Sequence, residues 1–259
     1  MRKTLFTRKL LLVLLSPLLL FAASCTRKMS PESARLNDGT EVVNAMYQKW
    51  KDKWYPNFAF EQKAIFYEND QVTKEEVWQE IYSQPGNLHI RFNGFETGNG
   101  VLFAQDSVYN FANGELKSKR PMVHNLVLLS FDVYFLQPAV TAEKLQQLGF
   151  NLQQMTESTW QGRPVYVVGT SNAADTTTTQ FWVDKERLYT VRSIINSNGA
   201  VRDVEINNYK QINNNWVATE IVFKTNGKKT LYEEYFNISF PERTDKSWFD
   251  PKQFSSARW

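Results

Sequence analysis

The apolar residues after Gly39 recur at the spacing of an α-helix. They are Val43, Met46, Tyr47, Trp50 and Trp54. Positions three and four apart share one face of a helix, so this run predicts an amphipathic helix with one buried side. Thr40 is a candidate N-cap, and Pro56 stops the helix because proline cannot continue it.

After Pro56 the hydrophobic period changes to two. Leu88 and Ile90 alternate with His89 and Arg91, for example. Such alternation is typical of strands with one buried face, and the Asn-Gly pairs at 198–199 and 226–227 indicate hairpin turns. In the second half, candidate strands lie at residues 165–168, 180–184, 189–196, 204–210, 216–224 and 230–240. The whole pattern predicts about ten or eleven strands, mostly antiparallel.

Two stretches interrupt the strands. Residues 122–136 are crowded with apolar side chains and predict a buried helix, and residues 141–148 predict a shorter one that ends at Gly149. A sheet of this size curls, and its concave face must be covered. We therefore predict an α+β fold over residues 39–259: a single strongly curved antiparallel sheet, an incomplete barrel, with helices covering its concave face.

Aromatic residues are abundant enough to line a cavity as well as a core. Phe, Tyr and Trp make up 14% of the chain. A curled sheet with surplus apolar lining can hold an acyl chain. The residues that we predict to line such a cavity are Phe58, Phe60, Phe92, Phe103, Leu128, Phe131, Phe181 and Phe223.

The amino terminus has the order of a secretion signal. Arg2, Lys3, Arg8 and Lys9 precede an apolar run at 10–21, which small residues follow. That run is shorter than the roughly 20 residues of a spanning helix. Cys25 is the only cysteine, and Ala-Ala-Ser-Cys resembles the lipobox of bacterial lipoproteins. We predict a signal peptide at 1–24, lipidation of Cys25 and a lipidated polar tether at 25–38.

Lipidation changes how location and charge are interpreted. Several acyl chains attach a protein durably to a membrane, so the membrane itself is a predicted partner. Thr26 rather than an aspartate follows Cys25, which favours the outer membrane, facing the periplasm. The full chain has a formal net charge of +3, and the predicted signal contributes four positive charges and no negative ones, so the chain from Cys25 carries −1. This balance gives no support for a nucleic-acid partner.

The second half contains a succession of recognisable strand motifs. Residues 180–192 read QFWVDKERLYTVR and lead into the turn at 198–199, and VEINNY at 204–209 and WFDP at 248–251 follow. This succession resembles the Lol-type periplasmic lipoprotein carrier and receptor superfamily, including outer-membrane lipoprotein-sorting proteins. The resemblance implies a strongly curved incomplete barrel, closed by helices, whose cavity accepts acyl chains. Predicted lipidation makes this chain more like the membrane-anchored receptor than the soluble carriers.

Catalytic and cofactor motifs are not apparent. The two histidines, His89 and His124, are far apart in the sequence, and no His/Cys cluster has the spacing of a metal site. No glycine-rich phosphate loop occurs, and we predict no cofactor. The carboxylate pairs Glu75-Glu76 and Glu233-Glu234 lie in strands, where neighbours face opposite sides, so we interpret them as solvated charges at sheet edges.

The leading hypothesis is a noncatalytic, membrane-anchored periplasmic lipoprotein that binds acyl chains or another apolar ligand, with a role in lipoprotein sorting. One alternative is an envelope-stress sensor that uses the same fold to contact an envelope protein. A third is an envelope hydrolase, which would need carboxylates such as Glu76, Glu220 and Glu233 to meet in the fold.

Overall fold

The computed structural model describes residues 35–259 of the chain. Within this range Leu36–Trp259 forms one compact unit with its own hydrophobic core, so a fragment with these bounds should fold by itself. The predicted signal peptide, Cys25 and most of the predicted tether lie outside the described residues.

The first helix, α1, spans Gly39–Trp50 and begins one residue before the expected cap. The Asp38 carboxylate, not the Thr40 hydroxyl, accepts a hydrogen bond from the Glu41 amide at 2.9 Å. The Glu41 carboxylate in turn accepts one from the amide of Asn37, the residue before the cap, at 2.7 Å, so the two side chains bond across the start of the helix.

Among residues 35–259, thirteen strands form one sheet, two or three more than the pattern predicted. In chain order β1 to β13 they are Asn57–Glu68, Gln71–Ser83, Asn87–Phe92, Gly100–Ala104, Ser107–Ala112, Glu115–Pro121, Met155–Trp160, Arg163–Val168, Gln180–Asp184, Thr190–Ser197, Ala200–Ile212, Asn215–Thr225 and Lys228–Ser239. Strand β7 was missed because its residues, MTESTW, have almost no apolar alternation.

The strand order explains why helices cross the sheet. The order is β6-β5-β4-β3-β2-β1-β13-β12-β11-β10-β9-β8-β7, and every neighbouring pair is antiparallel. The chain therefore starts in the middle, runs out to one edge at β6, and resumes at the opposite edge with β7. The edges do not pair with each other, so the sheet is open, as in an incomplete barrel. Residues 122–154 have to join the two edges.

That connection contains two helices separated by a break. Helix α2 spans Asn125–Ser130, a short 3-10 helix spans Asp132–Tyr134, and α3 spans Pro138–Gln147. The single helix predicted at 122–136 is thus interrupted at Phe131, whose backbone leaves helical geometry with φ −135°. Asp132 accounts for the interruption, because its carboxylate accepts hydrogen bonds from the Tyr82 hydroxyl at 2.7 Å and the Gly86 amide at 2.8 Å. We call residues 124–135 the helical segment.

The C-terminal segment, residues 246–259, packs on the other face of β3, β4 and β5. Phe254 is 1% exposed and stacks on Phe111 with the ring centroids 3.8 Å apart. The Arg91 guanidinium lies 4.5 Å from the Phe254 ring and donates a hydrogen bond to the Phe254 carbonyl oxygen at 2.6 Å. His89 points away from Leu88 and Ile90, as the alternation predicted, but this segment buries it completely.

No helix within residues 35–259 is long and apolar enough to cross a bilayer.

Candidate functional site

An apolar cavity of about 130 Å³ lies between the sheet and the helical segment. Its sheet wall comes from strands near the middle of the sheet, and its other wall comes from α2 and the residues that flank it. The apolar and aromatic residues that line it are Trp54, Tyr55, Phe58, Phe60, Tyr82, Leu88, Ile90, Leu126, Val127, Phe131, Ile206, Tyr209, Val217, Ala218, Ile221, Phe223 and Tyr235.

Phe131 closes one side of this cavity from the helical segment. Its ring stacks on Tyr82 with the centroids 4.6 Å apart and lies 5.9 Å from the Phe58 ring. The segment is also tied to β10, where the Thr190 hydroxyl donates a hydrogen bond to the Leu129 carbonyl oxygen at 2.8 Å. This hydrogen bond is one of the polar attachments that would have to change if the segment moved outward.

Four of the eight predicted lining residues meet at this cavity: Phe58, Phe60, Phe131 and Phe223. The other four lie elsewhere. Phe103 and Leu128 line a separate cavity of only about 20 Å³. Phe92 packs against Trp78 with ring centroids 4.6 Å apart, and Phe181 packs against Phe150 at 5.5 Å. Alternation identified the buried face of each strand, but it could not say which part of that face is filled.

Two buried carboxyl groups line the same cavity, Glu80 of β2 and Glu233 of β13. Glu80 is 4% exposed and Glu233 is 7% exposed. The prediction that Glu233 is a solvated edge charge was therefore wrong, because β13 lies between β1 and β12 in the middle of the sheet rather than at its edge. Of the three carboxylates that a hydrolase was expected to bring together, Glu233 alone lines this cavity.

Burial changes the charge state of both carboxyl groups. Loss of hydration raises the pKa of Glu80 well above its usual range, and the nearby Glu233 carboxyl raises it further. Burial also raises the pKa of Glu233 to about 8, against the opposing effect of the Gln62 amide and the Tyr235 hydroxyl. The Gln62 amide lies close to Glu233 but is poorly aligned, since its nitrogen and oxygen have no well-formed hydrogen bond.

The remaining titratable groups around the cavity are neutral at pH 7. Burial raises the pKa values of Tyr55, Tyr82, Tyr209 and Tyr235. Burial lowers the pKa of His124 to about 4, and its Nδ1 accepts a hydrogen bond from the Val127 amide at 3.3 Å as the cap of α2. Of the described residues that line the cavity, none is a lysine or an arginine.

Glu80 was missed at the sequence level, although the chain contains a signal for it. It lies between Trp78 and Tyr82 at a spacing of two, so the three side chains share one face of β2. The residues of β2 before Trp78 are mostly polar, so the alternation that indicates a buried face is not visible along the whole strand. The proximity of Glu80 to Glu233 depends on the order β2-β1-β13, which no local pattern indicates.

Three solved structures are similar to this chain over most of its length. A putative outer membrane lipoprotein-sorting protein domain from Vibrio parahaemolyticus matches with a TM-score of 0.59 and 15% identity, covering 84% of this chain and 98% of that one. A DUF1329 family protein from Desulfovibrio piger matches with 0.54 and 14%, covering 82% and 95%. A LolA superfamily protein from Nitrosomonas europaea matches with 0.52 and 12%, covering 80% and 97%.

The chain has a Lol-type fold. No protein-family model matches it, and no curated protein matches its sequence. At these identities the similarity establishes the Lol-type fold alone. Among residues 35–259, no group of three or more His, Cys, Asp or Glu side chains is arranged to hold a metal ion.

Proposed function

We propose that this chain is a noncatalytic lipoprotein of the bacterial cell envelope that binds an acyl chain or another apolar ligand in the cavity under the helical segment. The observation that carries the proposal is the cavity itself, which is lined for the most part by aromatic and aliphatic side chains. A lining that is mostly apolar favours hydrocarbon over water.

The class of ligand is chosen from the fold and from the lining. The similar Vibrio structure is named for lipoprotein sorting, which makes a lipoprotein acyl chain or a free fatty-acyl ligand the first class to test. Each methylene moved from water into such a cavity contributes about 0.8 kcal/mol of binding free energy, so binding needs no specific polar contact.

The size of the cavity requires the helical segment to move. Its volume of about 130 Å³ is close to that of an apolar cavity of about 150 Å³ that holds benzene. A chain longer than a few carbons would therefore enter only as the helical segment moves away from the sheet. We expect Phe131 to leave the position between Tyr82 and Phe58 during this step.

Anchoring belongs to the same proposal. Acyl groups on Cys25 would hold the domain near a membrane. We expect this to be the outer membrane, with the domain facing the periplasm. Replacing Cys25 by serine in the full chain should move the protein from the membrane fraction to the soluble fraction after cell lysis. A protein that stays in the membrane fraction without this thiol would contradict lipid anchoring.

The ligand proposal is tested with the fragment 36–259 and decanol, a neutral amphiphile. We expect saturable binding by calorimetry, and we expect Leu126→Trp, which fills the cavity from the helical segment, to weaken that binding about tenfold or more. Val140→Trp is the matched control, because Val140 is an exposed residue of α3. Absence of binding to the unaltered fragment, or equal loss in both variants, would contradict the proposal.

A further inference from the structure

We propose that the cavity selects amphiphiles whose polar end is an amine, with the ammonium group held between the Glu80 and Glu233 carboxylates and the Phe60 and Tyr235 rings. This inference rests on the proposed function, since it assumes that the cavity takes a hydrocarbon chain. The inference adds the chemical class of the ligand's polar end, which the apolar lining of the cavity does not determine.

The first reason is that Glu80 lacks a partner. Within residues 35–259 its carboxyl group forms no hydrogen bond and no salt bridge, although the residue is 4% exposed and lines the cavity. A charged carboxyl that is buried without a donor is unfavourable, so such a group tends to lose its charge. The Glu233 carboxyl raises the pKa of Glu80 further, and Glu80 in turn contributes to the raised pKa of the Tyr235 hydroxyl, so neither neighbour supplies a positive charge. Such a pair is incomplete in the protein alone, and a cationic donor would complete it.

The second reason is where the strands place this pair. Glu80 lies opposite Phe60 across β1 and β2, and Glu233 lies two residues before Tyr235 on β13. The Phe60 and Tyr235 rings are 4.3 Å apart by their centroids, so the carboxyls sit beside an aromatic pair. Aromatic faces attract ammonium groups, and more strongly where water is excluded.

The third reason is that the cavity offers nothing to an anion. No lysine or arginine lines it, and its histidine and tyrosines are neutral at pH 7. A fatty-acid carboxylate would meet two acids and no cation. An ammonium group would instead stabilise their ionised form, so binding should release protons to the solvent.

The experiment compares three probes of one chain length: decylamine, decanol and decanoate. Each is titrated by calorimetry at pH 7 into the fragment 36–259, in two buffers of different ionisation enthalpy. We expect decylamine to bind about tenfold or more tighter than decanol, decanoate to bind weakest, and only decylamine binding to release protons.

Glutamine variants test whether the preference for decylamine over decanol depends on Glu80 and Glu233. Glu80→Gln and Glu233→Gln should remove most of the preference for decylamine while decanol affinity stays within about twofold. Glu220→Gln is the control, because Glu220 accepts a hydrogen bond from the Tyr232 hydroxyl and does not line the cavity. It should keep the preference.

The outcomes separate this inference from the function on which it rests. If decanol binds but decylamine binds no tighter, or if decanoate is preferred, the amine inference is wrong and the apolar cavity survives. If the preference persists in both glutamine variants, the amine is held elsewhere and the inference is also wrong. If none of the three probes binds, the proposed function itself fails.

Discussion

At the scale of single residues, the cavity carboxyls should make folding stability depend on pH. A carboxyl whose folded-state pKa is raised binds its proton more tightly when folded, so its contribution to stability is present at low pH and is lost as the pH rises. Burial raises the pKa of Glu233 from 4.5 to about 8. The two histidines have the opposite effect on the pH dependence of stability, because burial lowers the pKa of His89 to about 3 and of His124 to about 4. This effect is confined to pH values below 6.5, the ordinary pKa of histidine.

We therefore expect the free energy of unfolding to fall between pH 6.5 and pH 8. The contribution of Glu233 to this fall is about 1–2 kcal/mol, because one pKa unit corresponds to about 1.4 kcal/mol. Urea unfolding of the fragment 36–259 at both pH values measures it. Glu233→Gln should make this fall smaller and leave the part that comes from Glu80, whereas Glu220→Gln should leave the fall unchanged. A stability that is equal at both pH values would contradict the assigned pKa shift.

At the scale of elements, the helical segment is the part that has to move for a chain to enter. It is the middle of the connection between the two sheet edges, and its break at Phe131 separates α2 from the 3-10 helix. The Asn125 amide nitrogen lies 3.4 Å from the Ser193 hydroxyl on β10. This contact offers a way to hold the segment against the sheet.

We expect a disulfide between Asn125→Cys and Ser193→Cys to block decanol binding. The Asn125 amide donates a hydrogen bond to the Ser193 hydroxyl, which places the two side chains in contact, and residues 36–259 contain no native cysteine. The oxidised double variant should bind at least about tenfold more weakly than the same protein after reduction. Asn125→Cys alone should show no redox effect. Equal binding in both redox states would mean that the segment need not open.

The C-terminal segment contributes to stability rather than to the cavity. We expect Phe254→Ala to lower the free energy of unfolding by about 3–5 kcal/mol, since it removes a fully buried ring from Phe111, His89 and Arg91. Phe254→Leu should cost clearly less because it leaves a smaller void. Urea unfolding measures both, and a loss below about 1 kcal/mol for the alanine variant would contradict this packing.

At the scale of the whole molecule, the sequence predicted the class of fold but only part of the site. Period-two patterns and Asn-Gly turns located β9 to β13 to within a few residues, because each strand carries its own alternation. The helix at 122–136 was drawn as continuous because nothing local indicates that Asp132 bonds to Tyr82 of a distant strand. The Glu80 and Glu233 pair could not be predicted for the same reason, since the local pattern of a single segment does not determine the order of strands in the sheet.

The central claim is that the space under the helical segment receives the hydrocarbon chain, and isoleucine-methyl NMR of the fragment 36–259 tests it most directly. Ile90, Ile206 and Ile221 line the cavity, whereas Ile81 and Ile194 are fully buried outside it. On titration with decanol we expect shifts and ligand–methyl Overhauser contacts at the first three and not at the other two. Saturable binding that leaves the three cavity methyl groups unmoved would contradict the claim.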